Sequence, residues 1–152
     1  EKSNELPWGL LILFGGGLSI AAQINSSGLG IWIGEGLSVL STIPPILLIL
    51  SVAALIIFLT EITSNVATTS TFLPVFGAVA IGIGILPVSL TVPVCLAASC
   101  AFMLPVATPP NAIVYGSGKF TIATMMKAGF LLNIIGIIVV TLFAYFIAPM
   151  VF

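Results

Sequence analysis

Two short stretches place clusters of polar groups inside apolar sequence, where they can bind small solutes. TEITSNVATT spans residues 60–69, and LPVATPPNAIV spans residues 104–114. Both offer hydroxyl, amide and backbone groups, and only the first contains a charged side chain, that of Glu61. Neutral oxygens suit a hard cation such as Na⁺, and unpaired N–H groups suit a carboxylate. The two stretches therefore favour reversible binding of ions over covalent catalysis.

Residues 60–65, TEITSN, are the whole connection between two apolar runs, and they lack the Lys or Arg of a usual cytoplasmic turn. We predict a re-entrant helical hairpin over residues 43–85, with its tip near residues 60–66. Irregular backbone at that depth must be buried in protein or line a wet cavity. A helix end near Thr63 offers carbonyls to a cation, and a helix start near Val66 offers N–H groups to an anion. The alternative is a tight polar turn whose hydroxyls bond back into the helices.

Glu61 is the only acidic residue in the middle of a predicted span. It is either a proton or cation site, or a structural carboxylate that is salt-bridged or hydrogen-bonded within the hairpin. The second role is favoured because carboxylates inside a membrane usually pair with another group. Because the chain has no His and Glu61 has no obvious acid–base partner, we expect that the protein is not an enzyme.

Prolines in the LPVATPPNAIV stretch break the helix that contains it. Pro109 and Pro110 lack the N–H groups that would bond the carbonyls of Pro105 and Val106, and Pro105 likewise frees the carbonyl of Ala101. These carbonyls become available to a cation.

We predict a broken span over residues 88–118, with a helix to Val106, an unwound segment and a second half-helix after the prolines. Thr108 and Asn111 then stand where an anion can be held. A proline kink that serves packing alone is the alternative. Two successive prolines flanked by Thr and Asn favour an unwound, ligand-facing segment instead.

The composition requires a membrane environment. Of the 152 residues, 60% are hydrophobic and 5% are charged, whereas about a quarter of a soluble domain is charged. The mean hydropathy is +1.37. With a net charge of -1, the chain has no basic surface for nucleic acid.

We therefore predict an all-α integral membrane fold in which residues 1–152 form a single unit. Besides the hairpin and the broken span, residues 7–33 form a first span and residues 125–152 form the last one. The positive-inside rule puts the lysines on the cytoplasmic side, and these are Lys2, Lys119 and Lys127. The expected location is the cell membrane, as a multi-pass protein.

Two interrupted elements with neutral polar tips are typical of a secondary transporter, whose site lies where discontinuous helices meet near the bilayer midplane. A channel is less favoured because the sequence has no ring of charge and no continuous polar face.

On the two stretches, and on their order and spacing, the chain resembles the divalent anion–sodium symporter family of di- and tricarboxylate carriers. The resemblance covers essentially the whole chain, but it corresponds to the second of the two inverted repeats of the family. It implies one half of an inverted-repeat transporter, with the N-terminal repeat of the same transporter as its partner. It also implies a homodimer in the bilayer and elevator-type alternating access.

The resemblance further implies which residues bind the ions. The sodium ligands would be the Thr60 side chain or carbonyl, the Thr63 carbonyl, Asn65 and the Ala107 carbonyl. The substrate carboxylate would meet Ser64, Asn65, the amide of Val66 and Thr108, with Pro109 shaping the pocket. The tip signature of the family is commonly Ser-Asn-Thr, whereas this chain has Ser-Asn-Val, which removes one hydroxyl.

The implied function is Na⁺-coupled uptake of di- or tricarboxylates such as succinate. A sodium-independent dicarboxylate exchanger is one alternative, and counterflow without sodium separates it from a symporter. The other alternative is a truncated membrane fragment that packs with a partner and transports nothing.

Overall fold

A computed structural model describes residues 42–151 and, before them, residues 12, 15, 16, 19, 20, 22, 23, 26–29 and 32. The predicted first span 7–33 therefore falls largely outside the described residues. From residue 42 onward the ordered elements are all helical, which confirms the all-α prediction for this part of the chain. They are α1 (Pro45–Thr60), α2 (Asn65–Gly82), α3 (Val88–Ala97), α4 (Pro109–Gly116), α5 (Ile122–Leu142), a π-helical stretch (Phe143–Ile147) and α6 (Ala148–Val151).

Helices α1 and α2 cover the two arms of the segment in which a hairpin is predicted. A Pro occupies the first turn of α1, where a missing N–H costs no hydrogen bond. Between the arms, residues 61–64 form the connection, within the tip that the sequence predicted. Helix α2 contains Pro74 and continues through it without interruption. Packing against α3 supports this arm, since a Cβ on Gly77 would already contact Thr91 at 3.5 Å.

Helix α3 ends at Ala97, well before Val106, where the sequence placed the end of the first half-helix. The backbone over residues 98–108 is non-helical, and α4 begins at Pro109 with Thr108 as its N-cap. The paired prolines therefore open a helix instead of interrupting one. Their position agrees with the preference for Pro in a first helical turn.

The core lies where α1 packs against α3 and α5. Fully buried side chains on α1 include Ile56 and Ile57, and those on α3 include Leu90 and Val94. Helix α2 contacts this core mainly through α3. The start of α2 and the non-helical segment 98–108 consequently lie beside the same end of α1.

Within the part of the chain that the structure describes, two helical stretches are long and apolar enough to cross a membrane, Asn65–Gly82 and Ile122–Val151. The second is a 30-residue helix that covers most of residues 125–152, for which a last span is predicted. Shorter apolar helices are Pro45–Thr60 and Val88–Ala97. Together with the composition, these helices indicate a membrane protein.

Candidate functional site

The two polar stretches of the sequence meet around one cavity of about 470 Å³. The hairpin tip and the start of α2 form one wall, and the end of the non-helical segment with the start of α4 forms the other. The lining residues are Ile62, Thr63, Ser64, Asn65, Val66, Val106, Ala107, Thr108 and Pro109. All the ion-binding residues that the family resemblance implied are among them except Thr60, and Asn111 does not line the cavity either.

Thr60 is fully buried, and its side chain contacts that of Asn65, which lines the cavity. Its Oγ1 lies 2.7 Å from Oδ1 of Asn65 and 2.9 Å from the carbonyl oxygen of Ala98. A hydroxyl has one hydrogen, so it can donate to only one of these oxygens at a time. When it donates to Ala98, the oxygens of Thr60 and Asn65 face each other without a proton between them, as the ligands of a cation do.

Thr63 and Thr68 confirm part of the alternative in which tip hydroxyls bond back into the helices. The Thr63 hydroxyl donates to the Leu59 carbonyl at 2.9 Å and pairs with Thr68 at 2.6 Å. These hydroxyls satisfy the polar turn itself. The Thr63 side chain is therefore occupied, and its carbonyl is the group to consider as a ligand.

Ser64 differs from the threonines beside it. It is the N-cap of α2, yet its side chain makes no capping hydrogen bond, although capping is the usual role of Ser at this position. The first N–H groups of a helix have no partner within it. The Ser64 hydroxyl and the positive end of α2 thus face the cavity together, where a negative charge is stabilised.

Thr108 contributes from the opposite wall. As the N-cap of α4, its Oγ1 accepts the Asn111 backbone N–H at 3.4 Å. Because the hydroxyl acts there as an acceptor, its own hydrogen can be donated to a ligand. Pro109 follows directly and has no N–H to compete for that ligand.

The Glu61 carboxylate is a structural group, as the sequence favoured, but its partners lie outside the hairpin. It is 4% exposed. It accepts the backbone N–H groups of Phe102 at 2.7 Å, Met103 at 2.9 and 3.0 Å, and Leu104 at 3.1 Å. The side-chain amide of Asn133 on α5 donates to it at 2.9 Å. One carboxylate therefore joins the tip, the non-helical segment and α5.

These bonds explain why α3 ends so early. In a continuous helix, the N–H groups of residues 102–104 would bond the carbonyls of residues 98–100. Glu61 takes those N–H groups, and the released Ala98 carbonyl accepts the Thr60 hydroxyl. The segment unwinds because side chains of α1 and the tip replace the lost helical partners.

The sequence predicted that Asn111 helps to hold an anion, but in the structure its side chain bonds the backbone instead. Its Nδ2 donates to the carbonyls of Ala101 at 3.0 Å and Leu104 at 3.1 Å. Pro105 frees the Ala101 carbonyl, as the sequence indicated, and Asn111 then captures it. The side-chain amide of Asn111 is therefore hydrogen-bonded to the backbone of the non-helical segment 98–108, which is called the unwound segment below.

Sequence reasoning missed Gly129 and Asn133, both on α5. Asn133 is fully buried, and a buried amide within an apolar span is a recognisable signal of a specific contact. Gly129 precedes it by one helical turn on the same face. Both residues lie in a span that was predicted from its apolar length, and apolar length alone does not distinguish single residues.

The chemistry of the site follows from neutral groups and helix ends. Among the residues described, no cluster of His, Cys, Asp or Glu is arranged to hold a metal ion. The carbonyl end of α1 lies on one side of the tip, and the N–H end of α2 lies on the other. Such an arrangement can bind a cation and an anion side by side.

Comparisons with known proteins agree with this chemistry. Residues 2–152 match the family model described as the sodium:sulfate symporter transmembrane region. The chain is 46% identical over 149 residues to the sodium-dependent dicarboxylate transporter SdcS of Staphylococcus saprophyticus. It is 48% identical over 151 residues to the protein of the same name from Staphylococcus aureus strain MRSA252. These alignments cover 98% and 99% of this chain but 29% of each relative, so the chain spans less than a third of their length.

Proposed function

Because the chain belongs to the divalent anion–sodium symporter family, we propose that it forms a sodium- and substrate-binding part of a secondary active transporter. The transporter couples Na⁺ entry to the uptake of a di- or tricarboxylate such as succinate. The observation that carries this proposal is the single cavity lined by both polar stretches. The relatives named as sodium-dependent dicarboxylate transporters support the choice of ion and substrate.

Sodium binds on the α1 side of the tip. Its ligands are oxygens of Thr60, Thr63, Asn65 and Ala107. The pair formed by Thr60 Oγ1 and Asn65 Oδ1, 2.7 Å apart, supports this assignment because both oxygens can face one cation when the Thr60 hydroxyl donates to the Ala98 carbonyl. Carbonyls of unwound backbone and helix ends are the sodium ligands that discontinuous helices supply in transporters.

One carboxylate of the substrate binds on the α2 side of the tip. It accepts hydrogen bonds from Ser64, Asn65, the Val66 amide and Thr108, and Pro109 shapes the wall beside it. The uncapped start of α2 supports this assignment because a helix N-terminus favours an anion without needing an Arg. Neighbouring Na⁺ and carboxylate stabilise each other, so each ion raises the affinity of the other.

The hairpin is re-entrant in this proposal, and the tip and the unwound segment move together. Helix α1 has 16 residues, about 24 Å at 1.5 Å per residue, which is shorter than the roughly 30 Å hydrocarbon core. The bonds from Glu61 to residues 102–104 support a single moving body, as elevator-type alternating access requires. The multi-pass arrangement, the N-terminal inverted repeat and the homodimer follow from the family resemblance.

Uptake into proteoliposomes tests the proposal on the natural polypeptide that contains this chain. An inward Na⁺ gradient should accelerate entry of labelled succinate, whereas a K⁺ gradient should not. We expect Asn65→Ala and Thr108→Ala each to lower the Na⁺-driven rate at least tenfold. Thr71→Ala is the matched control, because Thr71 is an exposed α2 residue that does not line the cavity.

Three outcomes contradict separate parts of the proposal. Unchanged uptake in both site variants would overturn the site assignment. Succinate counterflow at the full rate without sodium would show an exchanger instead of a symporter. Na⁺-driven entry of sulfate with no entry of succinate would replace the substrate class while leaving the sodium site in place.

A further inference from the structure

Helix α5 touches the unwound segment through its backbone at Gly129. A Cβ on Gly129 would lie 2.3 Å from the Phe102 carbonyl oxygen and 2.5 Å from Met103 Cα. Such distances leave no space for a side chain, so the two backbones are in direct contact. The contact brings the next turn of α5, with Asn133, against Glu61.

A single hydrogen bond to a described residue fixes the orientation of the Asn133 side-chain amide. Its Nδ2 donates to Glu61 Oε1 at 2.9 Å, and its Oδ1 has no hydrogen-bond partner among the described residues. Turning the amide over would set Oδ1 against the carboxylate. The amide therefore acts on Glu61 as a donor, and the bond lies in a fully buried environment where it is strong.

Glu61 in turn connects the two walls of the cavity. It lies in the hairpin tip next to Thr60, and its carboxylate holds the N–H groups of Phe102, Met103 and Leu104. The tip continues into one wall, and the segment that Glu61 holds continues into the other. A rotation of the carboxylate would shift the two walls relative to each other.

We propose that Asn133 is a positioning residue of the transporter, and that it acts through Glu61 to hold the unwound segment against the hairpin tip. The inference rests on the proposed function for its transport consequences and on geometry alone for the restraint itself. Losing the restraint weakens the binding of both ions, because the sodium oxygens and the carboxylate donors each come from both walls.

The test compares two replacements of similar size in the natural polypeptide, Asn133→Asp and Asn133→Leu. Leu removes the donor at every pH. Asp sets a second carboxylate beside Glu61, and it restores a donor only when it is protonated at lower pH. Among the described residues, Glu61 is the acidic one, and the described lysines, Lys119 and Lys127, are exposed. The engineered pair is therefore the expected source of a new pH dependence.

Amide hydrogen exchange over residues 101–104 measures the restraint without requiring transport. Each variant is compared with the unmodified protein at the same pH. We expect Asn133→Leu to raise exchange at least tenfold at all pH values from 5.5 to 8. Asn133→Asp should raise it at pH 8 and approach the unmodified rate at pH 5.5. Thr141→Val is the control, because it removes a buried polar group on α5, a hydroxyl that has no partner among the described residues.

Uptake then measures the consequence for function. In Asn133→Leu, we expect the sodium concentration for half-maximal uptake and the succinate KM each to rise at least fivefold. Exchange rates that match the unmodified protein in both variants would overturn the proposal. Unchanged sodium and succinate affinities in Asn133→Leu would overturn the consequence for ion binding. If the unmodified protein takes up no succinate, the proposed function fails while the exchange result still decides the restraint.

Discussion

Thr60 and Ala98 are joined by a hydrogen bond of 2.9 Å from the Thr60 hydroxyl to the Ala98 carbonyl oxygen. This bond links the end of α1 to the first residue beyond α3, and both groups lie in the buried part of the structure. The same hydroxyl oxygen lies 2.7 Å from Asn65 Oδ1. The Thr60 side chain therefore bonds the backbone where α3 ends and also contacts the side-chain amide of Asn65, which lines the cavity.

Replacing Thr60 by Val should weaken both stability and sodium binding. The change keeps the shape of the side chain but leaves the Ala98 carbonyl unpaired, which costs about 1–3 kcal/mol. We expect a lower midpoint of thermal unfolding in detergent and a higher sodium concentration for half-maximal uptake. Thr91→Val is the matched control, since Thr91 bonds only its own helix, at the Pro87 carbonyl. Equal effects of the two changes would argue against a special role for Thr60.

Glu61→Gln should destabilise the protein although it keeps the size of the side chain. The carboxylate accepts bonds on both oxygens, and the amide of Gln would direct N–H groups toward backbone N–H groups. Hydrogen bonds to charged groups contribute about 1.5–3 kcal/mol, so we expect a loss of at least that order. Thermal unfolding measures it, with Ser99→Ala as an exposed control. A variant that is as stable as the parent and has lost only sodium coupling would instead identify Glu61 as a cation site.

Val66→Thr should tighten substrate binding with little change in stability. Val66 lines the cavity and is 38% exposed, so an added hydroxyl can remain solvated or donate to a bound carboxylate. A hydrogen bond of about 1 kcal/mol lowers KM about fivefold. Uptake of succinate measures the effect, and Val114→Thr, on an exposed part of α4 away from the cavity, is the control. An increase in the KM for succinate would indicate that the substrate carboxylate does not bind beside Val66.

The positions of the hairpin tip and of the break near the prolines were predictable from local sequence. The six-residue connection TEITSN, in which five residues are polar, cannot extend either helix through lipid, and Pro109 cannot sit in a helix interior without loss of a bond. Both signals act on nearby backbone. The structure places both stretches at helix boundaries for that reason.

The end of α3 at Ala97 was not predictable in the same way. It depends on Glu61, which lies far from residues 102–104 in the sequence and takes their N–H groups. The role of Asn111 has a similar origin, because its acceptors become available only when Pro105 and Glu61 have unwound the segment. Pro74 shows the reverse case, in which packing keeps a helix continuous through a residue that usually interrupts it.

Asn111→Asp separates the structural role of Asn111 from anion binding. The substitution replaces the donor to the Ala101 and Leu104 carbonyls with an acceptor, so it should destabilise the unwound segment by about 1–3 kcal/mol. We expect a lower unfolding midpoint whether or not succinate is present. A protein of unchanged stability whose only defect is a higher succinate KM would return Asn111 to the anion site.

Gly129→Ala should disrupt the contact between α5 and the unwound segment, whereas Gly136→Ala should be tolerated. A Cβ at residue 129 would lie 2.3 Å from the Phe102 carbonyl oxygen, and backbone cannot move aside as a flexible side chain does. At residue 136, the nearest atom is Ile57 Cδ1 at 3.5 Å, an ordinary contact. Both changes add one methyl group to the same helix and raise its intrinsic helix propensity by a similar amount, about 1 kcal/mol. The difference in unfolding temperature between the two variants therefore reports the backbone contact at residue 129.

The measurement is thermal unfolding of the two variants side by side, followed by succinate uptake at several sodium concentrations. We expect Gly136→Ala to unfold at or above the temperature of the parent and to transport normally. Gly129→Ala should unfold several degrees lower, with an overpacking cost of about 1–3 kcal/mol, and should need more sodium for half-maximal uptake. If both variants behaved like the parent, α5 would not constrain the unwound segment, and the restraint through Asn133 would lose its structural basis.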